Sequence, residues 1–226
     1  MPSIYEQALG SDFRRLHPQI QKRFGLHSGA HTASIGRGVM ERIWYAKRFA
    51  FPFLYLGTTR HILFPEGGRN IPFTIQNYAY TDTFGRETVT WIRTYRFPGR
   101  VRRFDATMIY SRERGRIVDY LGTHQHLAVD IEMEATPEGG LRLRSGEQRF
   151  YERWLGFRFP DSLTGTADVC EWYDEREERF RIEVNVSNAR FGKIFAYEGW
   201  FEAEFPEVKR ERIPICCLPV REERRE

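Results

Sequence analysis

From residue 69 onward apolar and polar side chains alternate along the chain. In RETVTWIRTYRF, Glu87, Val89, Trp91, Arg93, Tyr95 and Phe97 fall on one face, against Arg86, Thr88, Thr90, Ile92, Thr94 and Arg96. A period of two marks a strand, and the bulkier, more apolar set turns inward. RFRIEVNV repeats the pattern, with Phe180, Ile182, Val184 and Val186 inward and Arg181, Glu183 and Asn185 in water. KIFAYEGWFEAEF places Phe195, Tyr197, Gly199 and Phe201 on one face, where Gly199 suggests a bulge or a close approach by another chain. Turn-forming residues recur near 82–85, 113–115, TPEGG (136–140), 174–178 and 189–193, while WLGFRFPDSL (154–163) reads as a connection. About nine strands at hairpin spacing predict a mainly β fold, an antiparallel meander. Curling into a β-barrel, lipocalin-like in general shape, removes its exposed edges.

The first 25 residues carry a different period. Ser3 is placed to cap a helix through IYEQALG, which Gly10 stops. Ser11 or Asp12 then caps FRRLHPQIQKRF, where Phe13, Leu16, Ile20 and Phe24 recur at helical spacing and Pro18 marks a break or kink. Residues 25–38 are rich in glycine and serine and predict a loop or irregular strand; 39–56 fit either strand or helix. The expected organisation is one barrel domain over 1–206, helical at its start, with 207–226 as a proline-marked tail over the surface.

Register can be read at one hairpin. Setting Ala135 opposite Leu141 across TPEGG pairs Glu134 with Arg142, Met133 with Leu143 and Glu132 with Arg144. Opposite charges meet and apolar meets apolar. The preceding stretch, YLGTHQHLAVDIEMEA, puts His124, His126, Asp130, Glu132 and Glu134 on one side if it is a single strand. Two histidines fall short of a tetrahedral zinc site, and nothing in the sequence brings Asp119 or another histidine beside them. The expectation is the wet face of a strand, with no metal and no cofactor.

The same alternation sends Glu87 and Arg93 into the interior, where an uncompensated charge is costly. Either they pair, or the guanidinium stacks on Trp91, or Arg93 faces the carboxylate or phosphate of a ligand in a cavity. Glu87, Trp91, Arg93, Tyr95 and Tyr197 are therefore the candidate ligand-binding residues, for a small apolar or anionic molecule. Sequence motifs of catalysis are absent: there is no nucleophile elbow or P-loop, and Gly36 and Gly38 lack the third glycine of a dinucleotide-binding turn. Glu87 with Asp105 or Asp119 could form a carboxylate pair, but 31 acidic residues supply such pairs by chance.

Charge excludes other classes. The net charge of +4 comes from 35 basic and 31 acidic residues interleaved along the chain, so no basic surface for nucleic acid is expected. Four lysines, Lys22, Lys47, Lys193 and Lys209, leave few candidates for Schiff-base chemistry. Cys216 and Cys217 are adjacent and Cys170 is remote, which gives neither a disulfide framework nor a zinc pair. The longest apolar run, FAFPFLYLG, is too short to span a bilayer, and a soluble cytoplasmic chain is expected.

The ordered series IYEQALGSDFRRLHPQIQKRF, RETVTWIRTYRF, IVDYLG and FRIEVNVSNARFGKIFAYEGWF resembles a bacterial family known as a domain of unknown function, found alone and fused behind saccharopine-dehydrogenase-like reductases. Leu16-His17-Pro18, Trp91-x-Arg93 and Tyr197-x-Gly199-Trp200 are the most specific pieces, and the chain departs from the pattern with Ser187, Asn188 and Ala189 before Gly192. The resemblance implies a reductase as partner but carries over no catalytic residue. Three functions follow: a non-enzymatic barrel binding a small ligand; an enzyme or reductase accessory domain using Glu87 and Arg93; or a scaffold that docks a reductase through its outer face or tail.

Overall fold

In the computed structural model, which describes residues 2–46, 51–160 and 164–226, two short helices open the chain. Helix α1 (Ile4–Leu9) begins at a capping box: Ser3 Oγ accepts from Glu6 N at 3.1 Å and Ser3 N donates to Glu6 Oε2 at 2.6 Å. Gly10, at φ 57°, ends it. Pro18 does not kink a longer helix; it starts α2 (Pro18–Phe24), where its missing N–H is no loss. Phe13, Leu16, Ile20 and Phe24 are all buried as their spacing predicts, although a separate 3₁₀ turn and α2 share them.

Strand β1 (Ala33–Tyr45) begins inside the stretch expected to be irregular. The ambiguous 39–56 segment contains both structures, strand to Tyr45 and helix α3 (Phe51–Thr58) after it, with 47–50 outside the described residues. Then follow β2 (Gly68–Thr81), β3 (Glu87–Phe97), β4 (Arg100–Ser111), β5 (Arg116–Leu121), β6 (Leu127–Ala135) and β7 (Leu141–Glu152). The remaining strands are β8 (Leu155–Arg158), β9 (Thr166–Asp174), β10 (Arg179–Asn188) and β11 (Gly192–Glu204). Their order is β6-β5-β4-β3-β2-β1-β11-β10-β9-β7, and pairing of β6 with β7 closes a ten-stranded antiparallel barrel. The predicted connection at 154–163 instead contributes β8, which pairs with β7 alone.

The β6–β7 register is the expected one, residue for residue from Ala135–Leu141 to Glu132–Arg144. The strand expected to run unbroken through 120–135 is not there. Residues 122–126 turn, with Gly122 at φ 78° and Gln125 at φ 52°, and β6 starts only at Leu127. A bulge between Val129 and Ile131 then buries Asp130 against Arg149 (2.6 Å) and Arg114 (3.1 Å), away from the histidines. Where the resembled family's pattern is broken, Asn188 Oδ1 accepts from the backbone of Arg190 (2.8 Å) and Phe191 (3.1 Å), which shapes the turn.

Side chains alternate as predicted on β3, β10 and β11, and Val89, Trp91, Tyr95, Phe195, Tyr197 and Phe201 belong to one buried core. Gly199 sits against β1, where a Cβ would lie 2.2 Å from the carbonyl oxygen of Val39, beside a bulge between Met40 and Arg42. Helices α1 and α2 close one end of the barrel, with the Phe24 ring 5.0 Å from Tyr5 and 5.9 Å from Trp91. Phe64, following α3, fills the other, 4.8 Å from Tyr95 and 5.2 Å from Phe195.

The tail climbs the outside of the wall and is bound to it. Val208 N donates to His31 O (2.6 Å) and Val220 N to Thr123 O (2.7 Å), while Ile213 and Cys217 bury Ala33, Tyr78, Tyr80 and Ile92 beneath them. Thr88, Thr90 and Ile92 on the outer face of β3 are consequently as buried as the inner face. Removal of residues after 206 exposes several of these side chains at about 1.5–3 kcal/mol each. A truncated chain is expected to lose at least about 4 kcal/mol in urea denaturation; an unchanged midpoint would refute the tail's structural role.

Candidate functional site

Charged groups enter the barrel in two layers. In the first, α2 delivers Arg23, which is fully buried and pairs with Glu171 of β9 through Nε and, at 3.3 Å, through Nη2. Its Nη1 donates to Ser34 Oγ (2.8 Å) and Asn77 Oδ1 (2.9 Å), and the guanidinium lies 4.8 Å over the Phe201 ring. Every strong donor direction is thus answered, as a buried cation requires.

The second layer surrounds Arg93, carried inward between Trp91 and Tyr95 by the alternation of β3. Its Nε donates to Phe104 O (3.2 Å) and its Nη1 to Tyr197 Oη (3.4 Å), and the Phe104 ring stacks 3.6 Å from the guanidinium. Tyr95 packs edge-on to Tyr197 at 5.6 Å. Asp119 of β5 is buried in the same field: burial pushes its carboxyl up from 3.8 to about 7, against the pull of the Arg93 charge. Tyr95 is pushed well above its ordinary value, again by burial first. Two atoms of this layer, Tyr95 Oη and Asp119 Oδ1, are buried without a hydrogen-bond partner. Such atoms are rare, because each forgoes its bonds to water.

Of the candidate residues, Arg93, Tyr95 and Tyr197 come together here. Trp91 faces the helical plug, donating from Nε1 to Tyr5 Oη at 2.7 Å. The gap of about 160 Å³ around it, bordered by Arg23, Phe24 and Asn77, is too narrow to admit water. Its indole is core. Glu87 is elsewhere: it sits at the α1–α2 end and accepts from Ser28 N (2.5 Å) and Ser28 Oγ (2.6 Å). Six residues of strand at about 3.3 Å each separate it from Arg93 by roughly 20 Å, so they form no pair. Glu87 borders an open groove of about 830 Å³ with Ile4, Arg86 and Arg112.

His126 Nε2 meets Glu152 Oε2 at 2.7 Å and His124 Nδ1 meets Thr123 Oγ1 at 2.9 Å, with both imidazoles held below their ordinary value by desolvation. Among the described residues no three His, Cys, Asp or Glu side chains are placed to share a metal ion. No helix among them is long and apolar enough to cross a membrane.

A family model described as a domain of unknown function, DUF4166, matches residues 16–201, which include both charged layers. The chain belongs to the DUF4166 family. It is also 39% identical over 204 residues to the uncharacterized protein YndH of Bacillus subtilis (strain 168), across 90% of this chain and 98% of that one.

Three site residues of this DUF4166 domain escaped the sequence reading: Arg23, Glu171 and the role of Asp119 beside Arg93. Each leaves a trace. Asp119 lies in step with Ile117 and Leu121, Glu171 with Val169 and Tyr173, and Arg23 one helical turn from Ile20. A charge in phase with an apolar face is the signal.

Arg23→Ala leaves Glu171 buried and unpaired, and is expected to cost about 3–5 kcal/mol in chemical denaturation. Replacement of both by methionine should recover most of that loss; a single variant as stable as the parent would show the pair to be unimportant. For Asp119, a folded value near 7 above an ordinary 3.8 means that the folded state binds the extra proton. Its contribution is present below pH about 4 and lost as pH rises through about 7, on the order of 4 kcal/mol in all. Asp119→Asn should therefore be neutral at low pH and increasingly stabilising toward pH about 8. A difference in unfolding free energy that stays flat with pH would contradict the assignment.

Proposed function

We propose that this protein is a small-molecule-binding β-barrel whose site is the Arg93–Asp119–Tyr95–Tyr197 layer. The observation that carries the reading is the pair of unpartnered buried atoms, Tyr95 Oη and Asp119 Oδ1, beside a buried guanidinium. Each costs roughly 1–3 kcal/mol while unsatisfied, and a ligand that completes both recovers that energy on binding. Protonated Asp119, the Tyr95 hydroxyl and Arg93 together offer donors to a carboxylate or phosphate oxygen. Phe64 and Phe104 offer apolar surface to whatever body bears it. Trp91 takes no part beyond supporting the floor. Entry is by the α3 end, where the Phe64 ring must swing off Tyr95.

The test uses a panel of small carboxylates, from benzoate to decanoate, and inorganic phosphate in thermal-shift titrations. A member of the panel at about 100 times its Kd stabilises the parent by about 2.7 kcal/mol. Arg93→Met abolishes the shift. Tyr95→Phe removes an orphaned hydroxyl, so the ligand-free variant gains about 1 kcal/mol while its shift shrinks. A parent indifferent to the whole panel, or a Tyr95→Phe chain less stable than the parent, counts against the site.

A second reading, an enzyme or reductase accessory domain, is favoured by Asp119 alone. A buried carboxyl titrating near 7 is suited to general acid–base work, and the reductase that the family resemblance implies would supply the substrate. In that case Asp119→Asn abolishes turnover and leaves ligand shifts in place. Glu87 does not enter this chemistry. The scaffold reading has less support, since the tail it relies on is spent in covering the barrel wall.

A further inference from the structure

We propose that the α3 end of the barrel docks onto the surface of an anionic lipid bilayer. Strand direction gathers five connections at this end, whose described residues are 46 with 51–67, 98–99, 122–126, 153–160 with 164–165, and 189–191. Their proximity is direct: Thr123 N donates to Arg60 O (2.9 Å), Tyr151 N to His126 O (2.8 Å) and Ala46 N to Ile194 O (2.8 Å). Among the described residues, nine of the twelve exposed large apolar side chains belong to these connections or the strand ends that flank them. Tyr55 and Leu56 of α3, Trp154 and Phe157 around β8, and Phe191 before β11 stand between 44% and 89% exposed. The opposite end has Phe84.

Charge follows the same axis. Arg60, Arg69, Arg96, Arg100, Arg190 and Lys193 are exposed at the α3 end. Among the described residues the carboxylates of these connections and their flanking ends are bound: Glu66 is taken by Arg100 (3.2 Å) and Arg102 (2.5 Å), and Glu152 by His126 (2.7 Å). At the far end the exposed charges are mixed, with Glu113, Glu138, Glu175, Glu177 and Glu178 beside Arg14, Arg15, Arg112, Arg176 and Arg224. The even balance of the sequence hides a rim at the α3 end whose exposed charges, among the described residues, are mostly basic.

The occupant follows from this arrangement. Aromatic side chains stand on separate loop tips, spread around a barrel rim and interspersed with arginine, and the hollow of about 350 Å³ bordered by Trp154 and Phe157 reaches none of Tyr55, Leu56 or Phe191. They match a flat surface with an apolar layer beneath an anionic one, where indole and phenol rings settle at the headgroup level. Basic residues near such a surface are each attracted to it, and the attraction falls off within a Debye length. Aromatic and basic side chains share the one rim, which sets the orientation with the barrel axis upright. This surface is independent of the ligand layer, because none of its side chains touches Arg93.

The full chain is tested by flotation with vesicles of phosphatidylcholine alone and of phosphatidylcholine mixed with phosphatidylglycerol. Partition is expected only into the mixed vesicles, and is expected to vanish in about 1 M salt, where the Debye length is about 3 Å. The double variant Leu56→Ala, Trp154→Ala should lower partition about tenfold or more at an unchanged unfolding midpoint, since both side chains stand largely in solvent in the free protein, 69% and 89% exposed. Arg93→Met should float like the parent, which separates this result from the ligand proposal. Failure of the parent to float with the mixed vesicles, or equal flotation of the double variant, overturns the inference. So does a stable dimer in sedimentation that the double variant dissolves, for then the surface belongs to a second copy of the chain.

Discussion

A guanidinium inside a β-barrel has to bring a carboxylate with it, and the rest of this molecule is arranged around the Arg23–Glu171 pair. Ten strands enclose more space than their own inward side chains fill, so the wall needs a plug. Helices α1 and α2 supply it, but apolar packing alone would let a plug slide. Arg23 fixes it by reaching β9 through Glu171, β1 through Ser34 and β2 through Asn77, three strands on one side of the wall. An ion pair of this kind adds little net stability over a well-packed apolar substitute; what it supplies is one position and one orientation. Trp91 and Tyr5 then meet at a fixed distance, and the floor of the second layer is set.

Much of the wall is legible in the sequence because one face of each strand meets the core and the other meets water. That is why β10, β11 and the β6–β7 register follow from parity and charge alone. The method fails where this condition fails. On β3, Thr88, Thr90 and Ile92 lie beneath the C-terminal tail, and burial by a segment more than a hundred residues away leaves no periodic mark. At 122–126 the chain turns through Gly122 and a left-handed Gln125, and alternating residue types on either side disguise it as one strand. Pro18 reads as a break in a helix until its neighbours show that the helix starts there.

The site was half legible for a related reason. Parity tells which way a side chain points but not how far along the barrel it lies. Arg93, Tyr95 and Tyr197 occupy the middle and upper layers and meet; Glu87 shares their face and ends at the opposite rim with Ser28. Glu171, the counter-charge of Arg23, and Asp119, the acid buried in the field of Arg93, come from other strands, β9 and β5. Local pattern marks them as acids on apolar faces and stops short of naming their partners.

Within the core, the Arg23 and Arg93 layers differ in how completely their polar groups are bonded. Near the helical plug each nitrogen of Arg23 finds an acceptor and the indole of Trp91 finds Tyr5. The unpartnered hydroxyl of Tyr95 and carboxyl oxygen of Asp119 lie beyond it, toward an end closed chiefly by one ring, Phe64. Exposed aromatic and basic side chains gather at that same end. The open bonds of the second layer thus fall on the side of the barrel closed chiefly by Phe64, where local opening meets the least resistance.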